Sequence, residues 1–154
     1  MTPRANRHAL QIVIAVAGLV PVGAGLAGIV LGPTFAGLGD PLGIPTSTDP
    51  SLDSHFRYLS GLLLGIGLLF WWAIPTIERR GSLVRALTLI VVAGGLGRAF
   101  SLLEVGEPDT GMRLALIMEL GVTPLLCLWQ FILERQTHTL VPVHSHMEMR
   151  RPLV

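Results

Sequence analysis

Residues 84–103 read VRALTLIVVAGGLGRAFSLL, and after Arg85 at its start the only charge in this stretch is Arg98. A transmembrane helix needs about 20 mostly apolar residues, which this stretch supplies. An arginine exposed to lipid costs at least ~2.5–3.5 kcal/mol on insertion scales, so Arg98 has to face another helix. The stretch therefore predicts a membrane-spanning helix and, around it, a bundle.

The composition of the whole chain agrees with a membrane location. Of its 154 residues, 51% are hydrophobic and only 14% are charged, against about 25% charged residues in ordinary soluble domains. The formal net charge of +1 gives no reason to expect a nucleic-acid partner. The single cysteine, Cys127, excludes an internal disulfide.

Four windows have the length and apolar content of a membrane span, and short loops join the later ones. We predict an all-α fold, an up-down antiparallel bundle of four transmembrane helices in one domain, residues 1–135. A polar tail, residues 136–154, follows the bundle, and residues 32–57 form an extracytoplasmic segment. The predicted spans are residues 9–31, 58–77, 84–103 and 114–133.

The arginines are distributed unequally between the two sides of the predicted bundle. Cytoplasmic loops of membrane proteins carry an excess of Lys and Arg, so we predict that both termini are cytoplasmic. On that side lie Arg4, Arg7, Arg79, Arg80, Arg85, Arg135, Arg150 and Arg151, against Arg57 and Arg113 opposite. The alternative for the first span is a signal peptide, but its apolar run exceeds the roughly 7–15 residues of a signal core.

Small residues at helical spacing predict where the helices pack, because association in lipid depends on close backbone approach. The first span has a seam of them on one face, and the second has a Gly-x-x-x-Gly arrangement. The third span has glycines within a turn of Arg98. The predicted packing positions are Gly18, Gly25, Gly28, Gly32, Gly61, Gly65, Gly94 and Gly95.

The fourth span offers one carboxylate at the depth of Arg98, namely Glu119. Both residues lie about five positions inside the outer ends of adjacent antiparallel spans, so we predict an ion pair between them. Other polar residues near that level complete a predicted outer-leaflet pocket. Its members are Arg57, Tyr58, Arg98, Ser101, Glu119 and Thr123.

Two interpretations of this pocket remain open at this point. Intramembrane ionisable residues indicate a functional site, and two arginines near one carboxylate suit an anionic ligand or a lipid headgroup. Alternatively the pair is a clamp that holds the helices in register, and Glu104 neutralises Arg57 at the rim.

Outside the pocket the sequence indicates no catalytic set, no metal site and no identifiable cofactor. The tail carries HSHMEM, residues 144–149, in which histidine and methionine could bind a soft or borderline metal, but we favour a flexible solvated tail over a metal site. Asp49 and Pro50 occupy the positions of an N-cap and a first-turn proline, so the second helix is expected to begin near Ser51.

Three segments carry a family resemblance: residues 55–80, residues 83–108 and residues 118–130. The most specific pieces are Arg57-Tyr58-x-x-Gly61, the Gly-Gly-x-Gly-Arg that ends at Arg98, and Glu119 followed by Pro124. The chain resembles, over about residues 9–135, an uncharacterised bacterial family of small four-span membrane proteins, a domain of unknown function that is distantly DoxX-like. The resemblance implies a four-helix fold in the bacterial inner membrane and no activity.

These observations lead to two hypotheses about function. The first is a non-enzymatic accessory subunit of a membrane complex, or a bundle that binds a small ligand or lipid. Its partners would be the lipid bilayer and either other membrane subunits or a second copy of the chain. A small-residue stripe left facing lipid would support it. The alternative is a small transporter or membrane-embedded enzyme that uses Glu119 and Arg98, which requires a cavity reaching Glu119.

Overall fold

The computed structural model describes residues 3–36 and 49–139, which are helical apart from short connections. Four helical rods in this part of the chain are long and apolar enough to cross a membrane. The helices are α1 (Pro3–Leu31), followed by a 3₁₀ turn (Gly32–Ala36); α2 (Pro50–Ala73), extended by a 3₁₀ segment (Ile74–Arg79); α3 (Gly81–Val105); and a last rod made of α4 (Thr110–Ile117), a π segment (Met118–Val122) and α5 (Thr123–Thr139).

The helix ends follow from local sequence. The Asp49 side chain accepts a hydrogen bond from the Ser51 amide at 3.1 Å, and Pro50 occupies the first turn. The predicted cap of the second helix is therefore confirmed, and residues 50–57 belong to α2. Asp109 caps α4 in the same way by accepting from the Met112 amide at 3.1 Å. Gly32 ends α1 at a φ of 64°, a left-handed conformation that glycine adopts without steric cost.

Each predicted span lies inside one of the four rods, and sequence-adjacent rods are antiparallel. Asn6 contacts Trp129 at the end of the bundle that also holds the α2–α3 connection, which we call the terminal end. Val30 contacts Arg57 at the opposite end, which we call the loop end. Predictions for residues 37–48 and for the tail beyond residue 139, its histidines and methionines included, lie outside the described residues.

Helices α1 and α2 form the tightest pair, because three glycines of α1, and Gly32 directly after it, allow a close approach of α2. A Cβ on Gly25 would lie 2.6 Å from the Leu64 backbone nitrogen, so no larger residue fits there. In the same way Gly18 contacts Trp71, Gly28 contacts Ser60 and Gly32 contacts Arg57. The small-residue face of α1 thus packs against α2.

Three other predicted packing positions take no part in packing. A Cβ on Gly61, Gly65 or Gly94 would meet nothing within 4 Å among residues 3–36 and 49–139. The reason is helical phase: Ser60 and Leu64 face α1, and the glycines that follow them are turned about 100° away. On α3, Gly95 meets Leu120 and Glu119, which turns Gly94 outward. On α2, Gly67 takes the packing role against Val22.

All four rods meet in a hydrophobic core at the terminal end. The core members come from α1, α2, its 3₁₀ segment, α3 and α5: Leu10, Ile14, Ala73, Ile77, Val84 and Leu133. Towards the loop end, α4 packs mainly on α3, and no residue of α4 or the π segment is buried. The loop half of the bundle is therefore the less compact half.

The 3₁₀ segment of α2 is held by side chains from two other rods. Pro75 has no amide hydrogen, and Thr76 departs from helical φ and ψ, so the chain cannot continue here as regular α-helix. Gln11 donates to the Ile74 carbonyl at 2.8 Å, and Gln130 donates to the Ile77 carbonyl at 3.0 Å. These polar contacts join α1 and α5 to the end of α2.

Candidate functional site

The structure brings Arg98 and Glu119 together. Arg98 Nε of α3 donates to Glu119 Oε1 of the π segment at 3.0 Å, which makes an ion pair between neighbouring rods. The Arg98 side chain is 38% exposed and that of Glu119 is 17% exposed. The pair therefore sits at the edge of the bundle, with the carboxylate on the inner side.

Gly95 makes this pair possible. A Cβ at residue 95 would lie 2.7 Å from Leu120 Cδ2 and 3.0 Å from Glu119 Cβ, closer than side-chain carbons approach. Since Gly95 and Arg98 are three residues apart, they share a face of α3. The missing side chain lets the π segment approach α3 closely enough for the guanidinium to meet the carboxylate.

The turn that carries Glu119 is wider than an α-helical turn. The Thr123 amide donates to the Met118 carbonyl, five residues back, and the Thr123 hydroxyl donates to the same oxygen at 2.8 Å. Pro124 follows directly; it has no amide hydrogen, and its ring would collide with the carbonyl four residues earlier. The extra residue in this turn relieves that collision. Insertions of this kind are frequent at functional sites.

The hydrogen bonding of the pair is incomplete. Arg98 Nη1 donates to Met112 Sδ at 2.8 Å, and a thioether sulfur is a weak acceptor. Glu119 Oε2 is buried and has no hydrogen-bond partner among the described residues. A buried polar atom without a partner costs free energy, so this oxygen destabilises the site unless another group binds it.

Arg57 lies in a different part of the bundle. Its guanidinium binds Asp53 through two hydrogen bonds, of 2.7 and 3.1 Å, and donates to the carbonyls of Ile29 and Val30 at the end of α1. No described ion pair joins it to Glu104 or Glu119. The rim partner suggested by the sequence, Glu104, is exposed, whereas Asp53 lies one helical turn away from Arg57.

Three further predicted pocket residues do not gather around the ion pair. Tyr58 is 63% exposed and Ser101 is also exposed, so both face outward. The Thr123 hydroxyl donates to the Met118 carbonyl of its own rod and not to the ion pair. Of the six predicted residues, Arg98 and Glu119 make the site.

Several contacts of this region were not predicted. Asp53 is spaced four residues before Arg57, a pattern that the sequence does display. The contact of Met112 with Arg98 depends on the fold of α4 over α3, and no spacing signals it. Among the described residues there is no group of three or more His, Cys, Asp or Glu side chains placed to hold a metal ion.

The fold and the intramembrane ion pair define a class: an integral, multi-pass membrane protein built as a four-helix bundle. Within that class the chain belongs to the family described as a domain of unknown function, DUF4345, whose model matches residues 9–130. That range includes α2 and α3 completely, most of the first and last rods, and the Arg98–Glu119 pair. No curated protein and no solved structure matches the chain.

Proposed function

We propose that this protein is a non-enzymatic accessory subunit that docks a further transmembrane helix against α2 and α3. The observation that carries the proposal is the set of glycines left open after the four rods have packed. A Cβ on Gly61, Gly65, Gly94 or Gly97 would meet no atom of the described residues within 4 Å. These positions supply the lipid-facing small-residue surface that a docking subunit needs.

The energetics of membrane helices support this role. Glycine inside a helix is about 0.8–1.0 kcal/mol less favourable than alanine, so four open glycines weaken α2 and α3 without helping their own packing. Helix association in lipid depends on close backbone approach, for which Gly-x-x-x-Gly is a recurrent arrangement. Gly61 and Gly65 have that spacing on α2. On α3, Ala93, Gly97 and Ser101 repeat small residues every four positions and are exposed.

The charges argue against the anionic-ligand version of the binding hypothesis. Arg57 is neutralised by Asp53, and Arg98 is neutralised by Glu119. The surplus positive charge that an anionic headgroup would require is therefore absent from both arginines. Docking through apolar, small-residue faces needs no such charge.

A second candidate function rests on the partnerless Glu119 Oε2. A carboxylate in a π turn, with one oxygen held by Arg98 and the other free, suits reversible protonation in a small transporter. That function requires water to reach Glu119. The groove formed by Ala15, Val16, Leu19, Trp71 and Ile74 lies at other helices. The docking role is the better supported of the two.

We also propose that the protein resides in a bacterial inner membrane with both termini in the cytoplasm. The excess of arginine at the terminal end supports this orientation. Single cysteines at Ser82 and Glu107, both exposed, in a Cys127→Ser background test it. An impermeant maleimide added to intact cells should label the cysteine at 107 and spare the one at 82; the opposite pattern would reverse the orientation.

The docking proposal is tested by photo-crosslinking in native membranes. A photoreactive residue is placed at Leu62, beside Gly61, or at Leu96, beside Gly97; both leucines are exposed. Each photoreactive residue is tested first with the native glycines and then with leucine at the neighbouring glycines. We expect one discrete membrane-protein adduct that disappears with Gly61→Leu/Gly65→Leu or with Gly94→Leu/Gly97→Leu.

The matched control for these variants is Gly23→Leu. Gly23 is equally open, but it lies on α1 beside the large exposed residues Leu19 and Leu26. The adduct should survive this change. Adduct formation that is unaffected by leucine at all four glycines of α2 and α3 would contradict the docking role.

A further inference from the structure

We propose that Arg80, stacked on Trp72, binds the phosphate group of an anionic phospholipid. Trp72 is near the end of α2, and Arg80 joins the 3₁₀ segment to α3. The site therefore lies at the terminal end of the bundle, whereas Arg57 binds Asp53 at the loop end. It is independent of the proposed docking role.

The guanidinium of Arg80 is held in place by two contacts. Its Cζ lies 3.4 Å from the centroid of the Trp72 ring, which puts the cation over the face of the indole. Its Nε donates to Thr76 Oγ1 at 2.9 Å. The backbone is fixed as well, because the Arg80 carbonyl accepts a hydrogen bond from the Val84 amide at 3.0 Å. A side chain that is already ordered loses less conformational entropy when it binds a ligand.

Most of the hydrogen-bonding capacity of this guanidinium is unused. Arginine has five N–H donors in a fixed plane, and within the described residues only Nε of Arg80 has an acceptor. Stacking on Trp72 covers a face of the guanidinium and leaves its edge, where the Nη1 and Nη2 hydrogens point. Two parallel N–H groups on that edge match two oxygens of a phosphate group.

Positive charge is in excess around this guanidinium. Arg80 and the neighbouring Arg79, which is exposed, make no ion pair with any described residue. The two acids that the described part of the chain places at this end are already engaged by other arginines, Glu78 by Arg7 at 3.2 Å and Glu134 by Arg85 at 2.9 Å. An anion bound at Arg80 therefore supplies a missing counter-charge.

The surroundings of Trp72 favour a lipid over a soluble anion. Trp72 is 59% exposed, and Leu68, one turn earlier on the same side of α2, is 48% exposed. Tryptophan near the end of a membrane span lies at the level of the lipid headgroups. A phospholipid there places its phosphate against Arg80 and its acyl chains along Trp72 and Leu68. A soluble phosphate would use only the contact with Arg80.

This lipid site and the proposed docking surface occupy different levels of α2. Gly65 lies seven residues before Trp72, which is about 10 Å along the helix at ~1.5 Å per residue. The bulk of Trp72 prevents the close backbone approach that Gly61 and Gly65 allow, so a helix docked at the glycines leaves room for lipid at Trp72. Failure of either proposal leaves the other intact.

Native mass spectrometry of the full-length protein in detergent tests the site. Dioleoyl phosphatidylglycerol and dioleoyl phosphatidylcholine, which share their acyl chains, are added in equal amounts. We expect the wild type to retain the anionic lipid in preference. Arg80→Gln should reduce that preference about fivefold, the effect of one arginine near an anionic membrane surface. Trp72→Leu should also reduce it, although the charge is kept, because the guanidinium loses its support.

Arg113→Gln is the matched control. It removes the same charge from an exposed arginine at the loop end, and it should leave the lipid preference unchanged. Equal loss in Arg113→Gln and Arg80→Gln would show that total charge, and not the Arg80 site, selects the lipid.

Three further results would overturn the proposal. Equal retention of both lipids by the wild type would show that the protein does not select an anionic headgroup, and this measurement needs no variant to fold. An unchanged preference in Arg80→Gln would remove Arg80 from the site. Displacement of phosphatidylglycerol by millimolar inorganic phosphate would identify a site for soluble phosphate and exclude the lipid.

Discussion

Gly95 of α3 lies directly against Glu119, and the space that its missing side chain leaves allows Arg98 Nε to reach Glu119 Oε1 at 3.0 Å. The close packing of α3 against the π segment at Gly95 is thus also what allows the ion pair to form. Four predictions follow from the contacts that hold this arrangement and the neighbouring helices together.

Removing one partner of the Arg98–Glu119 pair should destabilise the protein more than removing both. Loss of one member of a buried pair costs about 3–5 kcal/mol because a charge remains unpaired, and we expect about 1–3 kcal/mol here since Arg98 is partly exposed. Glu119→Gln should lower the Tm in mild detergent, and Arg98→Gln/Glu119→Gln should recover most of the loss.

The exposed pair of Arg113 and Glu107 provides the control for that experiment. Arg113→Gln should change the Tm little, since an exposed ion pair contributes about 0–1 kcal/mol. If the double variant at residues 98 and 119 were as unstable as Glu119→Gln, the role of the pair as a clamp between α3 and the π segment would be excluded.

Arg57 should behave differently, because it holds backbone carbonyls as well as a carboxylate. Arg57→Gln leaves the carbonyls of Ile29 and Val30 without their cationic donor, so we expect a lower Tm. Asp53→Asn added to Arg57→Gln should not restore stability, since the carbonyls stay uncapped. A double variant with the wild-type Tm would show that only the ion pair with Asp53 matters.

Glycines of the two kinds should respond oppositely to alanine. Gly25→Ala places a carbon 2.6 Å from the Leu64 backbone nitrogen, which forces α1 and α2 apart and should cost about 1–3 kcal/mol. Gly61→Ala meets open space and should stabilise the isolated protein by up to about 1 kcal/mol through helix propensity. Thermal unfolding of both variants in the same detergent decides this; equal Tm changes would contradict the α1–α2 packing.

Pro124→Ala should allow the π segment to become regular α-helix. The amide that alanine supplies can donate to the Leu120 carbonyl, four residues earlier. When the π turn becomes an α turn, Glu119 rotates relative to α5. In a double-mutant cycle, the coupling between Arg98 and Glu119 should then fall towards zero in the Pro124→Ala background. Full retention of the coupling would show that Pro124 does not maintain the wider turn.

Much of the architecture could be predicted because its causes are local. The length of each apolar run indicates a membrane span, and Asp49 with Pro50 marks the start of α2. The contact of Arg98 with Glu119 was also accessible, because both residues are costly in lipid and lie at one depth. The partner of Arg57 could also have been predicted, because Asp53 lies one helical turn earlier on the same face.

Other features depend on how helices rotate against one another. Which glycines pack is decided by the phase of α2 relative to α1, so Gly67 is buried in the interface while Gly61 and Gly65 remain open. A Gly-x-x-x-Gly spacing gives the face of one helix but not the identity of the helix that covers it. The wider turn at Met118–Val122 also changes how the residues before it are rotated relative to α5.

The sequence by itself determined that this chain forms four membrane-spanning helices and that Arg98 needs a carboxylate. Both are consequences of moving apolar and charged groups from water into lipid, and that free energy depends on residue type and depth alone. Only the tertiary structure decided which small residues contact a neighbour, where Arg57 binds, and which buried side-chain oxygens, Glu119 Oε2, Thr88 Oγ1 and Gln130 Oε1 among them, have no hydrogen-bond partner in the described part of the chain. These outcomes depend on helix rotation and register, which arise from the packing of all four rods together.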